Sequence, residues 1–405
     1  MTESGGCISW SHERRDGRSQ DCRRIADFAG KTALVKTAQI AMIADTGICR
    51  DSEIRRTEHC SVQLDAQMKY LVTGATGLLG NNVVRQLLGE GAEVRVLSRS
   101  PLRGEPLAGL EVELVQGDVR DASRVQFAVQ GVDCVVHAAA HVQVGWTQSE
   151  MHRLVNVEGT RTVAEAALKH GARLIHVSTV NTLGIGRLAN PADEESGLPG
   201  LIQCHYVTSK IYGEKAVLEL ARKGLDAVII HPGFCLGPWD WKPSSGRMLL
   251  AVNRGTFAAP PGAYNVCDVR DVSAGIAAAA KLATSGRRYI LGGHNLTYLD
   301  AWRVFARVAG TSGPRFRIGP ITRWIGAVGS DVWTYWTGEE SEINSATIGM
   351  AAQETCFTSD RAVRELGYRI RPLEETVEDA WTWFCEHGYA GVRRSPRPAP
   401  VKVYS

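Results

Sequence analysis

The chain has 405 residues, of which 44% are hydrophobic and 22% charged, so it is long enough for about two to three domains with a large apolar core. The formal net charge is only +3, and no lysine- and arginine-rich block with interleaved aromatic residues occurs, so nucleic acid is not expected as a partner. No stretch approaches about 18 uninterrupted apolar residues, so we expect no transmembrane helix.

Cysteine usage argues against metal and disulfide chemistry. The chain has ten cysteines and no C-x-x-C pair, so a zinc site is not expected. Cys134 and Cys235 lie in apolar, strand-like runs, which is typical of buried free thiols. We therefore expect a reducing, cytoplasmic location.

Residues 1–67 differ from the rest of the chain. Their acidic residues are as numerous as their basic ones, which is not typical of a transit peptide, and Lys36 and Gln39 interrupt the segment 34–43, unlike a secretory signal. Met68 directly precedes the first predicted strand. We expect Met68 to be the natural start and 1–67 to be a mis-assigned or disordered extension, with a small regulatory segment as the alternative.

From Met68 onward, short apolar runs alternate with segments of helical period. The predicted strands span 70–73, 93–97, 111–116, 134–137, 173–178, 227–231 and 287–291. The predicted helices span 78–88, 122–129, 151–170, 206–222 and 373–388. Continuously apolar strands favour a parallel sheet covered on both faces, so we predict an α/β fold, a Rossmann doubly wound sheet with its ligand at the carboxyl ends of the strands.

After Gly237 the pattern becomes irregular and rich in Trp, Pro and Gly. This change predicts a nucleotide-binding Rossmann domain at 68–236 and a smaller, mainly substrate-binding domain at 237–405. Within the second part, we expect segments 264–293 and 373–388 to return to the Rossmann core.

Glycines spaced three apart follow the first predicted strand, at Gly74, Gly77 and Gly80, and an amphipathic segment follows at once. Glycine lets the backbone approach a pyrophosphate closely, and the first N–H groups of a helix attract the anion. The layout predicts a dinucleotide site, although an ordinary glycine-rich turn is the alternative. The other residues of this turn that we assign to the site are Thr76, Leu78 and Leu79.

Tyr206 and Lys210 lie four apart on a predicted helix and therefore share one face. A free tyrosine has a pKa of about 10, which must fall by about 3 if the side chain is to act as a general base near neutral pH. A nearby ammonium and an oxidised nicotinamide would both favour the phenolate. The alternative is an amphipathic helix with an ordinary exposed tyrosine and lysine.

Ser178 and Thr179 follow a predicted strand at its carboxyl end, where the cleft is expected. A hydroxyl there can hydrogen-bond a substrate oxygen whose proton Tyr206 takes. The alternative is that these hydroxyls satisfy the backbone of the turn.

These motifs occur in one order together with Gly117-Asp118-Val, His137-Ala-Ala-Ala140, Asn156-Val-Glu-Gly-Thr160 and His231-Pro-Gly-Phe-Cys-Leu-Gly-Pro238. The combination resembles the extended short-chain dehydrogenase/reductase family, in its NAD-dependent epimerase/dehydratase branch. The resemblance runs from about Met68 to the segment 366–374, so it covers nearly everything except the extension.

The resemblance implies a role for each matching position. Gly74, Gly77 and Gly80 would form the pyrophosphate turn, and Thr179, Tyr206 and Lys210 the catalytic set, with Ser178 beside them. Tyr206 and Lys210 are also assigned to cofactor binding, since Lys210 has the reach to hold a ribose hydroxyl. The remaining cofactor-binding residues that the resemblance implies are Asp118 and Val119 at the adenine, Ala138, Ala139 and Ala140 along the cleft, and Pro232 beside the nicotinamide. The family implies a small-molecule substrate and leaves a homodimer open.

The end of the second predicted strand, Val96-Leu-Ser98-Arg99-Ser100, lacks the acid that accepts from the ribose hydroxyls in NAD-binding members. Arg99 could pair with a 2′-phosphate instead, which favours NADP, as in the dihydroflavonol-reductase-like subgroup. The alternative is a solvated arginine stacked on adenine, which would tolerate NAD as well.

Departures from the family pattern narrow the reaction. Val180-Asn181 stands where dehydratases carry Asp-Glu, and Tyr264 stands where nucleotide-sugar enzymes carry an arginine, for which the spacing of Arg270 is wrong. Aromatic residues crowd the expected substrate side, where some could line an apolar pocket: Trp239, Trp241, Trp324, Trp333, Tyr335 and Trp336. We therefore expect an NAD(P)-dependent oxidoreductase acting on a carbonyl or secondary alcohol of a small, hydrophobic substrate, dihydroflavonol-reductase-like or hydroxysteroid-dehydrogenase-like. A sugar or nucleotide-sugar epimerase and a non-catalytic redox sensor are the alternatives.

Overall fold

A computed structural model describes residues 68–100, 104–197 and 202–390. The extension 1–67 lies outside the described residues. The strands are β1 Lys69–Thr73, β2 Glu93–Ser98, β3 Glu113–Gln116, β4 Cys134–His137, β5 Arg173–Val177, β6 Ala227–Pro232, β7 Phe234–Leu236, β8 Ala258–Ala259, β9 Ala263–Asp268, β10 Arg288–Leu291, β11 His294–Thr297, β12 Phe316–Arg317 and β13 Glu354–Thr355.

The helices run between and after these strands. They are α1 Leu78–Gly89, α2 Gly104–Leu107, α3 Ala122–Val129, α4 Ser149–His152, α5 Gly159–His170, α6 His205–Ala221, α7 Gly246–Asn253, α8 Val269–Leu282, α9 Tyr298–Val308, α10 Pro320–Thr337, α11 Ser345–Met350, α12 Asp360–Leu366 and α13 Leu373–Glu386. A π-helical stretch, Arg153–Glu158, joins α4 to α5.

Seven parallel strands form the central sheet in the order β10-β6-β5-β4-β1-β2-β3. The order reverses between β1 and β4, and the crevice at such a switch point is where doubly wound sheets bind ligands. The predicted doubly wound fold is therefore confirmed. Its predicted strands and helices begin and end within about two residues of the observed ones, except that the helix expected at 151–170 contains the π-helical stretch.

Both faces of the sheet are covered, as the continuously apolar strands predict. Successive residues of a strand point to opposite faces, so Tyr70 and Val72 of β1 enter one apolar cluster and Leu71 enters the other. All three side chains are fully buried. Burial of one such aliphatic side chain stabilises the fold by about 1.5–3 kcal/mol.

The chain after β6 forms a second, smaller sheet. Strand β9 pairs antiparallel with β11 and parallel with β7 and β13, while α8 and β10 return to the central sheet, the helix against α1 and the strand against β6. Helix α13 differs from the expectation. Its apolar residues Val377, Ala380 and Phe384 pack with Phe305 and Leu249 in a separate cluster, because α9 and α7 cover that face. The division into two domains remains a prediction.

Among the described residues, no helix combines the length and the apolar character needed to cross a membrane.

Candidate active site

The glycine turn follows β1 and begins with a left-handed residue. Gly74 has φ +75°, and a Cβ added there would lie 2.6 Å from the amide nitrogen of Ala139. A Cβ on Gly80 would overlap the carbonyl of Gly74, whose carbon would be 2.6 Å away. Gly77 is different, because its Cβ would meet only the Gly74 oxygen, at 3.5 Å. Gly74 and Gly80 are therefore required by the fold of the turn. Gly77 is not, and its lack of a side chain leaves room for a ligand to reach the backbone.

The turn leads directly into the N-terminus of α1, which has no side-chain cap. Gly77 is the N-cap of α1, and no side-chain hydrogen bond caps this end. Leu78 is buried, whereas Thr76 and Leu79 are only partly buried. Helical N–H groups without a side-chain cap, together with the helix dipole, form a site for a phosphate anion. The residues present therefore fit the pyrophosphate of a dinucleotide.

Directly behind the turn, the end of β4 is fixed by a chain of buried hydrogen bonds. Thr160 Oγ1 donates to the carbonyl of Asn156 at 2.7 Å, so it accepts from Nε2 of His137 at 3.1 Å. The His137 Nδ1 then accepts from Thr73 Oγ1 at 2.7 Å, and Thr73 accepts from the amide of Ala139 at 3.3 Å. This directionality assigns a neutral imidazole, in agreement with burial, which lowers the pKa of His137 to about 3. The part-exposed Ala138, Ala139 and Ala140 are thereby held against the glycine turn.

Helix α6 carries Tyr206, Lys210 and Glu214 on one face, at intervals of four residues. The Lys210 ammonium is buried and donates to the carbonyl oxygen of Val177, at the end of β5, at 2.6 Å. Burial lowers the pKa of Lys210 to about 8, and the carboxylate of Glu214 opposes this change. Lysine and tyrosine are thus brought to the carboxyl end of the sheet.

In the protein without cofactor, the pKa of Tyr206 is raised rather than lowered. Burial raises the pKa of Tyr206 to about 12, and a hydrogen bond with Thr179 opposes the rise only in part. The reason is that Lys210 donates to a backbone carbonyl, and in the described part of the chain no cation acts on the pKa of Tyr206. Near neutral pH, Tyr206 is therefore a protonated phenol that can donate a proton.

Ser178 and Thr179 follow β5 but face different partners. Thr179 is at the start of the turn Val180–Thr182, and its hydroxyl accepts from the backbone and side-chain nitrogens of Asn181, both at 3.3 Å. Ser178 instead donates to Glu214. Thr179 therefore acts on the Tyr206 phenol and lowers its pKa in part, whereas Ser178 faces Glu214.

Glu214 is the main residue that the sequence analysis missed. Its carboxylate accepts from the hydroxyls of Ser178 and Thr182, the latter at 2.6 Å, and lies 3.3 Å from Nε2 of His231. Burial alone would raise the pKa of Glu214, but His231 and the two hydroxyls outweigh it and lower the pKa to about 2. The available signal was its place as the next member of the four-residue series on α6.

Beside Lys210, the strands β4, β5 and β6 each carry a histidine. His137 and His176 lie opposite each other on β4 and β5, with ring centroids 5.6 Å apart, and His231 has the matching orientation on β6. Burial, followed by Lys210 and the neighbouring imidazoles, lowers the pKa of His176 well below its usual value. Both His137 and His176 are thus uncharged, which leaves Glu214 as the buried carboxylate facing Lys210.

The far end of the cleft contains a cavity of about 400 Å³. It is lined by Arg99, Gln116, Gly117, Asp118, Asp121 and Arg124. The Asp118 carboxylate is paired with Arg120 at 2.9 Å, which lowers the pKa of Asp118. Val119 is buried against Gly159, and Pro232 is buried as the last residue of β6. Arg124 had no signal in the sequence, because it reaches the cavity from α3.

The aromatic residues of the expected substrate side separate into two groups. Trp239 and Trp241 pack in the cluster around Trp383, and Arg85 stacks on Trp239 at 3.3 Å. The others, on α10, are all exposed: Trp324, Trp333, Tyr335 and Trp336. Tyr264 is buried and stacked on Tyr298, with centroids 4.1 Å apart.

Six described cysteines are free thiols, and Cys235 is only part-buried, with its sulfur 3.7 Å from that of Cys267. Within the described part of the chain, no group of three or more His, Cys, Asp or Glu side chains is arranged to hold a metal ion.

Comparison with known proteins agrees with this geometry. The model of the family described as "NAD dependent epimerase/dehydratase family" matches residues 70–292, which contain the glycine turn, the Tyr206 helix and the end of β6. The chain belongs to this family. Its members form part of the extended short-chain dehydrogenases/reductases, and the protein is an NAD(P)-dependent oxidoreductase.

Two relatives match over almost their entire length. A Synechocystis sp. protein with the provisional name dihydroflavonol 4-reductase is 33% identical over 79% of this chain and 95% of its own. Sterol demethylase protein B of Methylococcus capsulatus is 32% identical over 79% of this chain and 99% of its own. The crystal structure of gox2253 superposes with a TM-score of 0.70 at 34% identity, covering 80% of this chain and 100% of that one.

Proposed function

We propose that this family member transfers hydride between NADP(H) and a carbonyl or secondary alcohol of a small, hydrophobic substrate. The observation that carries the proposal is that Tyr206, Thr179 and Lys210 come together at the carboxyl end of β5. This strand pairs with β4, whose following residues lie against the glycine turn. This arrangement supports proton transfer to or from a substrate oxygen by a positioned side chain.

The roles are clearest in the reductive direction. Tyr206 is protonated near neutral pH, so it can donate its proton to the oxygen of the substrate. Thr179, whose hydroxyl acts on the same phenol, orients that oxygen, and Lys210 would hold a ribose hydroxyl of the bound cofactor. Bound NADPH would supply the hydride from C4 of its nicotinamide. The contact of Ser178 with Glu214 supports a positioning role for Ser178 behind Thr179.

The preference for NADP rests on the cavity beyond β2. Two guanidinium groups, those of Arg99 and Arg124, line it, and β2 ends in Ser98 without an acid. Of the two aspartates there, Asp118 is paired with Arg120, and Asp121 caps α3. This distribution favours a 2′-phosphate over free ribose hydroxyls.

A hydrophobic substrate is supported by the surroundings of Tyr206. Four apolar, part-buried side chains pack with Tyr206 against one buried cluster of Cys204, Val207 and Ala346: Val144, Ile202, Ile211 and Met350. Arg270, the candidate for holding the phosphates of a sugar nucleotide, already pairs with Asp268 at 2.8 Å and Asp379 at 2.7 Å. A relative named as a sterol demethylase protein agrees with an apolar substrate class.

Replacing Tyr206 by phenylalanine tests the proposed chemistry. We expect turnover of ketones with NADPH to fall by about 100-fold or more, while affinity for NADPH is unchanged, because only the proton donor is lost. Tyr212→Phe is the matched control, since Tyr212 lies on the same helix and is half exposed. Turnover retained above about a tenth of the wild-type rate would remove Tyr206 from proton transfer.

The dinucleotide released by denaturing the purified full chain separates the two reaction types. An empty site that binds NADPH reversibly agrees with a reductase. Near-stoichiometric, tightly held NAD would instead indicate an epimerase that reduces and reoxidises its cofactor in place, and would contradict the role given to Arg99.

A further inference from the structure

Helix α10, Pro320–Thr337, exposes its apolar face to solvent instead of burying it. A surface helix of a globular protein normally turns its apolar stripe to the core. None of the 18 residues of α10 is buried, and its apolar side chains are exposed. They are Ile321, Trp324, Ile325, Val328, Val332, Trp333, Tyr335 and Trp336.

These side chains share one face. At 100° per residue, all of them except Trp333 fall within about 120° of the helix circumference. Trp324 is 67%, Tyr335 87% and Trp336 81% exposed. Since an aromatic side chain presents about 150–250 Å², the aromatic residues alone contribute about 500 Å², near the upper end of the largest patch on a typical monomer.

The opposite face of α10 holds small and polar residues. Gly326, Ala327, Ser330 and Thr334 are the positions of intermediate exposure, together with Arg323. A Cβ on Gly326 would lie 3.5 Å from the Cδ1 of Ile348, so this face lies against α11. The helix therefore docks through small residues and leaves its apolar stripe without a partner among the described residues.

Positive charge lies at the start of this helix. Arg315 and Arg317 immediately precede it beside the exposed Phe316, and Arg323 lies in its first turn. In the described part of the chain, no carboxylate lies within 4.0 Å of these three guanidinium groups. The acidic residues of this region lie toward the other end of the helix. Asp331 is in its second half, and Glu339, Glu340 and Glu342 follow it, of which Glu342 pairs with Arg247.

We propose that the exposed stripe of α10 and the arginines before it form a docking surface for an anionic lipid bilayer. Tryptophan and tyrosine favour the membrane–water interface, and a helix lying in that plane buries its apolar face at the level of the headgroups. Arginines at the same end attract anionic phosphates. This attachment is peripheral and does not depend on the reaction that the enzyme catalyses.

Flotation of the full chain with lipid vesicles tests the proposal. Wild-type protein should float with vesicles of phosphatidylcholine containing phosphatidylglycerol, and less with phosphatidylcholine alone. The double variant Trp324→Ser with Trp336→Ser should lose about tenfold or more in partitioning, because two large apolar side chains no longer enter the interface. Neither residue is buried, so the fold should persist.

Matched control variants distinguish vesicle binding through α10 from nonspecific adsorption of exposed aromatic residues. The double variant Phe127→Ser with Tyr212→Ser removes two exposed aromatic residues elsewhere and should float like the wild type. Arg315→Gln with Arg317→Gln should reduce the difference between the two vesicle types.

Two outcomes would overturn the proposal. One is a wild-type chain that floats with neither vesicle. The other is a dimer in sedimentation equilibrium that the Trp324/Trp336 variant dissociates, without vesicle binding, which would assign the stripe to a second copy of the chain. Because none of these measurements reads turnover or cofactor binding, they do not depend on whether the proposed reaction is correct.

Discussion

Replacing Glu214 by glutamine should lower the free energy of unfolding at pH 7 by about 3 kcal/mol. The pKa of this buried carboxyl is lowered from 4.5 to about 2, because His231 and the hydroxyls of Ser178 and Thr182 outweigh the effect of burial. A difference of about 2.5 pKa units corresponds to about 3 kcal/mol in favour of the ionised, folded form. Glutamine keeps an acceptor for the hydroxyls but carries no charge.

The effect should depend on pH in a defined direction. Because the pKa is lower in the folded chain than in the unfolded one, the stabilisation is complete well above pH 4.5 and is lost as pH falls toward 2. The difference between wild type and Glu214→Gln should therefore shrink to about half or less of its pH 7 value near pH 3. Urea unfolding of both proteins at pH 7 and pH 3 measures it.

Glu219→Gln is the matched control, since Glu219 lies on the same helix. Its carboxylate is half exposed and pairs with Arg161 at 3.4 Å, so its loss should change stability by less than about 1 kcal/mol. Equal stability of Glu214→Gln and wild type at pH 7, or a difference that stays constant to pH 3, would refute the reasoning. Glu214→Ala should in addition lower kcat more than Glu214→Gln does, because only glutamine can still hold Ser178 and Thr182 beside Thr179.

Three further predictions concern the cofactor site and the lysine. Gly77→Ala should weaken NADPH binding without lowering the free energy of unfolding, since the added Cβ has room in the fold. Gly80→Ala should destabilise the chain, because its Cβ overlaps Gly74. Cofactor titration and urea unfolding distinguish the two variants, and equal losses of stability would contradict the prediction. Lys210→Met should abolish turnover without lowering the free energy of unfolding at pH 7. Burial lowers the pKa of Lys210 from 10.5 to about 8, so the charged form costs the folded state about 3 kcal/mol, and this cost is relieved as pH rises from 8 toward 10.5. Urea midpoints at pH 7 and pH 9.5 test this, because the wild type should gain stability at the higher pH and the variant should not. Arg99→Ala should lower the ratio of kcat/KM for NADPH to that for NADH by about tenfold or more, as a charge-assisted contact would be lost, and an unchanged ratio would remove Arg99 from phosphate recognition.

The sequence by itself determined what depends on local order. The alternation of apolar strands with helical segments predicts the doubly wound sheet, because each period of two or 3.6 decides which side chains of an element can be buried. The glycine spacing predicts the turn after β1, since Gly74 has a positive φ and Gly80 lies against it. The interval between Tyr206 and Lys210 predicts their shared face for the same local reason.

Only the tertiary structure decided which distant residues meet. Ser178 and Glu214 are 36 residues apart, and their contact depends on how α6 packs on the sheet, so the lowered pKa of Glu214 has no local signal. Burial likewise raised the pKa of Tyr206, although its neighbour Lys210 suggested the opposite. The tryptophans of α10 resemble core residues by composition, but the face that a helix turns outward is decided by what it packs against. There the small residues facing α11 left the aromatic ones in solvent.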